Sequence, residues 1–159
     1  MKFYLAHPFD LRYEVRFWEQ LIEKETGVDL INPFYDRERF DVGDIDAGRT
    51  SRSAESLDFE GIVHNDLGLC DEADGTVMVV RPNTYSIGTV CEGWHTATIL
   101  KKPVYVVGYD GHPWLRYMIK QGKGRGFRTF QELLIFLKAE MVKEKMPKRR
   151  VKKGRRKTK

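Results

Sequence analysis

The sequence predicts an α/β domain built on a doubly wound parallel sheet of about five strands. Three observations carry this. Short strand-like apolar runs alternate with segments of helical period, and the runs end at turn-forming residues such as His7-Pro8 and Asn32-Pro33. The third is that residues 76–80 are almost continuously apolar, as burial on both faces of a parallel sheet requires. The length of 159 residues suits one domain with a short appendage.

Residues 2–6 form the first expected strand, stopped by His7-Pro8. Over residues 11–25, Leu11, Val15, Trp18, Leu21 and Ile22 recur at three- and four-residue steps, which is an amphipathic helix closed by Gly27. Residues 28–31 supply strand two. Residues 34–53 are highly charged and lack a sustained period, so they read as a long polar loop. Loops of that length are uncommon unless they cover a site. A helix is expected over 54–71, strand three over 76–80, a helix over 88–100 and strand four over 103–107. A short helix over 114–120, a fifth strand over 127–129 and a last helix over 131–142 complete the series.

The net charge of +5 divides unevenly. Residues 143–159 hold eleven Lys/Arg and one acid, whereas residues 1–142 hold 17 bases and 22 acids. The domain is therefore expected over 1–142 and a disordered basic tail over 143–159, since the tail has too little apolar surface to offset its ordering entropy. The tail reads either as a solubilising extension or as a weak contact to nucleic acid or another polyanion. A nucleic-acid-binding fold would show its basic surface within the domain. No apolar run approaches the roughly 18 residues of a membrane span, and the start MKFYLAHPFD shows no signal-peptide pattern. Cys70 and Cys91 make neither a disulfide framework nor a zinc cluster. The cytoplasm is the expected compartment, with no membrane partner.

In a doubly wound sheet, ligands bind beyond the carboxyl ends of the strands. The segment Ser86-Ile87-Gly88-Thr89-Val90-Cys91-Glu92 follows strand three and opens a helix, so the amides of Gly88 and Thr89 are expected to face an anion or an oxygen-rich ligand. Glu92, one turn further, either complements the helix dipole or faces the same crevice. Asp66 in the preceding helix is a second acid. Two carboxylates converging on one crevice suit glycosidic-bond cleavage, one at the sugar carbon and one handling the leaving-group proton. His64, His95 and His112 lack metal-ligand spacing, and no metal is expected. Asp41, Asp44 and Asp46 evoke a calcium loop, but Arg52 stands where its bidentate glutamate belongs. The run Gly122-Lys123-Gly124-Arg125-Gly126 reads as a flexible turn and not a P-loop. Cys91 has no positioned base and reads as a small core residue.

Phe3-Tyr4-Leu5-Ala6, Asn32-Pro33-Phe34, Asn65-Asp66-Leu67, Asp74-Gly75, Ser86-x-Gly-Thr-x-x-Glu92 and Lys102-Pro103-Val104 together resemble the nucleoside 2-deoxyribosyltransferase family, over about residues 1–108. The resemblance implies a flavodoxin-like parallel sheet and cleavage of the N-glycosidic bond of 2′-deoxyribonucleosides, with the sugar passed to another base or to water. It implies Glu92 as nucleophile, Tyr4 holding Glu92 in line, Asp66 beside the leaving base, and no cofactor. It further implies a homodimer or higher homo-oligomer with shared active sites, for which Arg116, after strand four, is the candidate residue lent to a neighbour.

Position 86 departs from the free-nucleoside transferases, which carry an acid there. Ser86 resembles instead the branch that hydrolyses deoxynucleoside 5′-monophosphates, and a hydroxyl beside the Gly88 and Thr89 amides suits a phosphate. Arg12 and Arg16 could add phosphate contacts or simply form a solvated helix face. Phe9 and Phe34 stack on a base or pack locally. His7 contacts substrate or ends its strand. The alternative class is a non-catalytic nucleotide-binding module tethered to nucleic acid by the basic tail.

Overall fold

The computed structural model describes residues 1–35, 59–82 and 86–145. Five strands, β1 (Lys2–Ala6), β2 (Asp29–Ile31), β3 (Gly75–Val79), β4 (Val104–Val107) and β5 (Arg125–Phe127), form one sheet in the order β2-β1-β3-β4-β5. Every pairing is parallel. The helices are α1 (Arg12–Thr26), α2 (Phe59–Glu72), α3 (Ile87–Trp94), α4 (Pro113–Gly122) and α5 (Phe130–Lys145). The chain steps from β1 outward to β2, then returns to β3 on the other side. The carboxyl ends of β1 and β3 thus flank the point where strand order reverses, which is where such sheets open a crevice.

Side chains alternate across β1 and so divide the core in two. Phe3 and Leu5 pack with Val15 and Ile22 of α1 and Leu133 and Leu137 of α5. Tyr4 and Ala6 pack on the opposite face with Leu69 and Cys70 of α2 and Leu115 and Met118 of α4. Trp18 stacks on Phe130 at 5.4 Å and 9°, joining α1 to α5. Gly93 lets α3 approach the sheet, since a Cβ there would meet the Met78 sulfur at 2.8 Å.

Three local expectations change. The helix expected over 88–100 is α3 followed by a π turn, His95–Ile99, in which Leu100 N donates to His95 O. The Thr98 hydroxyl takes the Trp94 carbonyl at 2.7 Å, a competing bond that loosens the ordinary helical ladder. Strand five lies at 125–127, earlier than expected, so the glycine-rich run leads from α4 into a strand. Thr129 is instead committed to starting α5: its hydroxyl accepts from Glu132 N, while the Glu132 carboxylate accepts from Arg128 N. Cys91 is exposed on α3, not a core residue; the buried cysteine is Cys70. The long loop over 34–53, apart from residues 34 and 35, lies outside the described residues. So do the helix start at 54–58 and residues 146–159 of the basic tail, whose first residues, 143–145, instead continue α5.

Candidate active site

β1 buries Tyr4 completely and aims its phenol at α3, where Tyr4 Oη donates to Glu92 Oε1 at 3.1 Å. Their separation of 88 residues is closed by the pairing of β1 with β3 and the packing of α3 over both. Ser86 opens α3 in extended conformation (φ −84°, ψ 134°), and its hydroxyl makes no capping bond. A Cβ on Gly88 would lie 3.7 Å from Ser86 Oγ and 3.9 Å from Glu92 Oε1. Gly88 is therefore the exposed floor between a hydroxyl and a carboxylate, with room beside both. Thr89 is 2% exposed, and its Oγ1 has no hydrogen-bond partner among the described residues.

Asp66 approaches from α2. Burial, then Glu92, then Asp66 hold the Tyr4 phenol well above its ordinary pKa, so Tyr4 remains a neutral donor to Glu92. Cys70 registers the same pair of acids. Burial first and the Glu92 charge next push its thiol up to about 12, with a smaller push from Asp66 against bonds from Thr96 and Thr76. Two carboxylates from different helices thus act on one phenol and one thiol. Both acids therefore lie within electrostatic range of the same buried groups, which spacing in the sequence cannot establish.

The remaining candidates divide. Phe9 lies in a 3₁₀ turn (Phe9–Leu11) after β1, with the Arg12 guanidinium 3.8 Å above its ring. Arg12 Nη1 donates to Phe9 O and Nη2 to Tyr13 Oη, each at 3.2 Å. Arg16 pairs with Glu19 and lies 5.0 Å from the Tyr35 ring. His7 is buried, with its ring nitrogens against Pro8 O and Asn32 Oδ1. Arg116 stands apart, exposed on α4 and without a side-chain hydrogen bond or ion pair among the described residues. It shares that helix with exposed Trp114 and Tyr117, which with Trp94 and Pro113 line an apolar recess of about 340 Å³. Sequence reasoning missed Glu19 and the polar role of Asn32. The signal for Glu19 was present: it falls between Val15 and Ile22 on the apolar stripe of α1, at spacings of four and three. Among the described residues no cluster of His, Cys, Asp or Glu could hold a metal.

The arrangement defines a single-domain, five-stranded parallel α/β protein with a phenol-supported carboxylate at the strand-order reversal. The same fold occurs in a conserved protein from Enterococcus faecalis V583, at TM-score 0.63 and 20% identity over 88% of this chain and 98% of that one. It occurs in a 2-deoxyribosyltransferase from Bacillus psychrosaccharolyticus, at TM-score 0.58 and 21% identity over 89% and 96% of the two chains. A CMP N-glycosidase from Clostridium botulinum also shares it, at TM-score 0.52 and 17% identity over 87% and 99%. No protein-family model matches the chain, and no curated protein matches it by sequence. At such identities the likeness is one of fold. No described helix is long and apolar enough to cross a membrane.

Proposed function

We propose that this chain cleaves the N-glycosidic bond of a 2′-deoxyribonucleoside 5′-monophosphate through Glu92. The observation that carries the proposal is the 3.1 Å bond from the buried Tyr4 phenol to Glu92 Oε1, with Asp66 acting on the same phenol. A carboxylate held by one oxygen presents the other in a fixed direction. Attack of that oxygen on C1′ forms an ester while the C1′–N bond breaks, its electron pair passing to the base nitrogen. Asp66 supplies the proton the base needs. Water, or a second base, then attacks C1′, gives up a proton to Asp66 and releases Glu92. The missing 2′-hydroxyl eases the cationic centre, and a positioned carboxylate stabilises it away from water. The occurrence of this fold in a 2-deoxyribosyltransferase and a CMP N-glycosidase supports the reaction class.

The 5′-phosphate belongs at the start of α3. Ser86 Oγ is not spent on capping, Gly88 is exposed, and the helix N-terminus favours an anion. Arg12 remains a further candidate there. We extend the proposal to a homo-oligomer in which α4, through exposed Trp114 and Tyr117, meets a second copy and lends Arg116 to its site.

The test is base release from deoxynucleosides and their 5′-monophosphates, each with and without a second free base. Release from monophosphates without an acceptor supports a nucleotide hydrolase. Activity on free nucleosides only with an added base makes the chain a transferase and removes the phosphate assignment. Glu92→Gln is expected to lower turnover at least ~1000-fold while the chain stays folded; retained turnover sinks the mechanism.

A further inference from the structure

Where β1 and β2 end, three polar side chains lie almost wholly out of solvent: His7 at 4%, Asn32 at 0% and Glu19 at 1% exposure. Their hydrogen bonds fix one another. Asn32 Nδ2 donates to Glu19 Oε2 at 2.5 Å, and Asn32 Oδ1 accepts from Phe34 N at 3.1 Å. Turning the amide over would set two donors face to face at Phe34 and two acceptors at Glu19. Its orientation is therefore determined. It follows that His7 Nε2, 3.3 Å from Asn32 Oδ1, meets an acceptor. His7 Nδ1 meets a second, the Pro8 carbonyl, at 3.1 Å. A neutral imidazole carries one N–H and would leave a lone pair against one of these oxygens. Only the doubly protonated ring donates to both.

The charged groups of α1 are engaged with other partners, so the two ring hydrogen bonds alone carry that form. From α1, Glu19 reaches Asn32 with one carboxylate oxygen and Arg16 with the other. Arg12 is engaged over Phe9 and Tyr13. β2 contributes the neutral Asn32. The ring also touches Phe34, with centroids 4.9 Å apart, and Phe34 meets Phe9 edge-on at 5.5 Å. These two phenylalanines lie past the carboxyl ends of β1 and β2, at the end of the sheet where Ser86 opens α3.

We propose that His7 stands in the folded protein as an imidazolium and is a positioning residue, clamping the Asn32–Phe34 turn so that Phe34 and Phe9 form a fixed wall for the base of the substrate. Its role as wall for the base rests on the N-glycosidic function proposed above; the protonation state does not. With both nitrogens taken by protein oxygens, His7 acts through Phe34 and not by touching the substrate. Because it holds a binding surface and no reacting atom, its loss acts on KM.

The experiment has two arms. In a chain with His64, His95 and His112 changed to glutamine, nitrogen-15 spectra of His7 are expected to show both ring nitrogens protonated at neutral pH. A ring with one protonated nitrogen overturns the proposal, whatever the activity. In the second arm, His7→Gln is expected to raise KM about fivefold or more with kcat changed less than about twofold. Asn32→Asp sets a carboxylate against Glu19 and raises KM likewise. Adding Glu19→Gln restores a donor opposite that carboxylate and brings KM back to within about twofold of the parent. A fall in kcat at constant KM, or no recovery in the double variant, overturns the positioning role. If the parent chain releases no base, the function fails while the nitrogen spectra still decide the protonation. Exchange of the Phe34 amide then decides the clamp: faster exchange in His7→Gln sustains it, and unchanged exchange rejects it.

Discussion

Tyr4 makes two kinds of contact with one side chain. Its ring fills the core face shared by α2 and α4, while its hydroxyl donates to Glu92. Tyr4→Phe keeps the ring and removes one hydrogen bond, so stability should change by only about 1 kcal/mol. Turnover should fall roughly 10- to 100-fold, with KM little affected, as single-turnover base release would show. An equal loss in kcat and in thermal stability would mean that Tyr4 is structural alone. At position 86, Ser86→Asp sets a carboxylate beside the exposed Gly88 and should reverse preference from monophosphate to free nucleoside, read as a ratio of kcat/KM values. Ser86, Gly88 and Glu92 could be grouped from the sequence because they lie within the N-cap and first two turns of one helix. Tyr4 was named only through a resemblance and Asp66 first as a second acid in the preceding helix, since no local rule joins either to Glu92 across the chain. His7 was legible as a strand-end residue. Which atoms its ring faces depends on Asn32 and Glu19, contributed by β2 and α1.

At the level of elements, α2 owes its end to a residue outside it. Lys102 Nζ donates to the carbonyls of Asp71 at 2.5 Å, Ala73 at 2.8 Å and Cys70 at 3.4 Å, a cationic cap on the negative end of the helix that carries Asp66. Lys102→Met should cost about 1–3 kcal/mol and lower the thermal midpoint by several degrees, with a smaller loss of turnover through Asp66. An unchanged melting curve would show that solvent replaces the cap. After β4, Gly108 has φ +82° and lies where a Cβ would come within 1.9 Å of Val80 O. Gly108→Ala therefore meets strain and backbone overlap together, and urea unfolding should report a loss above about 2 kcal/mol. The strands and helices were largely readable from period and punctuation. The π turn and the early start of β5 were not, because a threonine hydroxyl and a capping pair decide them.

Across the whole molecule, the buried Cys70 thiol and Tyr4 phenol, raised first by their own burial and then by the Glu92 charge, set the response to alkali. Both groups hold their protons in the folded chain beyond the pH at which the unfolded chain releases them. The folded state then binds more protons, so stability falls as pH rises. For Cys70 the window runs from the ordinary value of 9.0 to about 12, with a slope of up to about 1.4 kcal/mol per pH unit. Cys70→Ala should flatten that decline, as urea denaturation on either side of the window would measure; an identical slope would mean the thiol ionises normally. Removal of residues 146–159 takes away nine of the 28 Lys/Arg residues. It should leave base release intact and weaken any salt-sensitive binding to polyanions; lost turnover would assign the segment to the working assembly.

Composition, apolar period and turn residues by themselves determined the fold class, because burial in a parallel sheet constrains every residue of a strand at once. They also singled out the Ser86–Glu92 segment as a candidate, because a helix start follows a buried strand there. Only the tertiary structure decided that the Tyr4 phenol meets Glu92, that Asp66 acts on the same buried region, and that His7 is locked between two oxygens. Each of those contacts joins elements brought together by strand order, and pairing across a sheet leaves no periodic trace in the sequence of either partner.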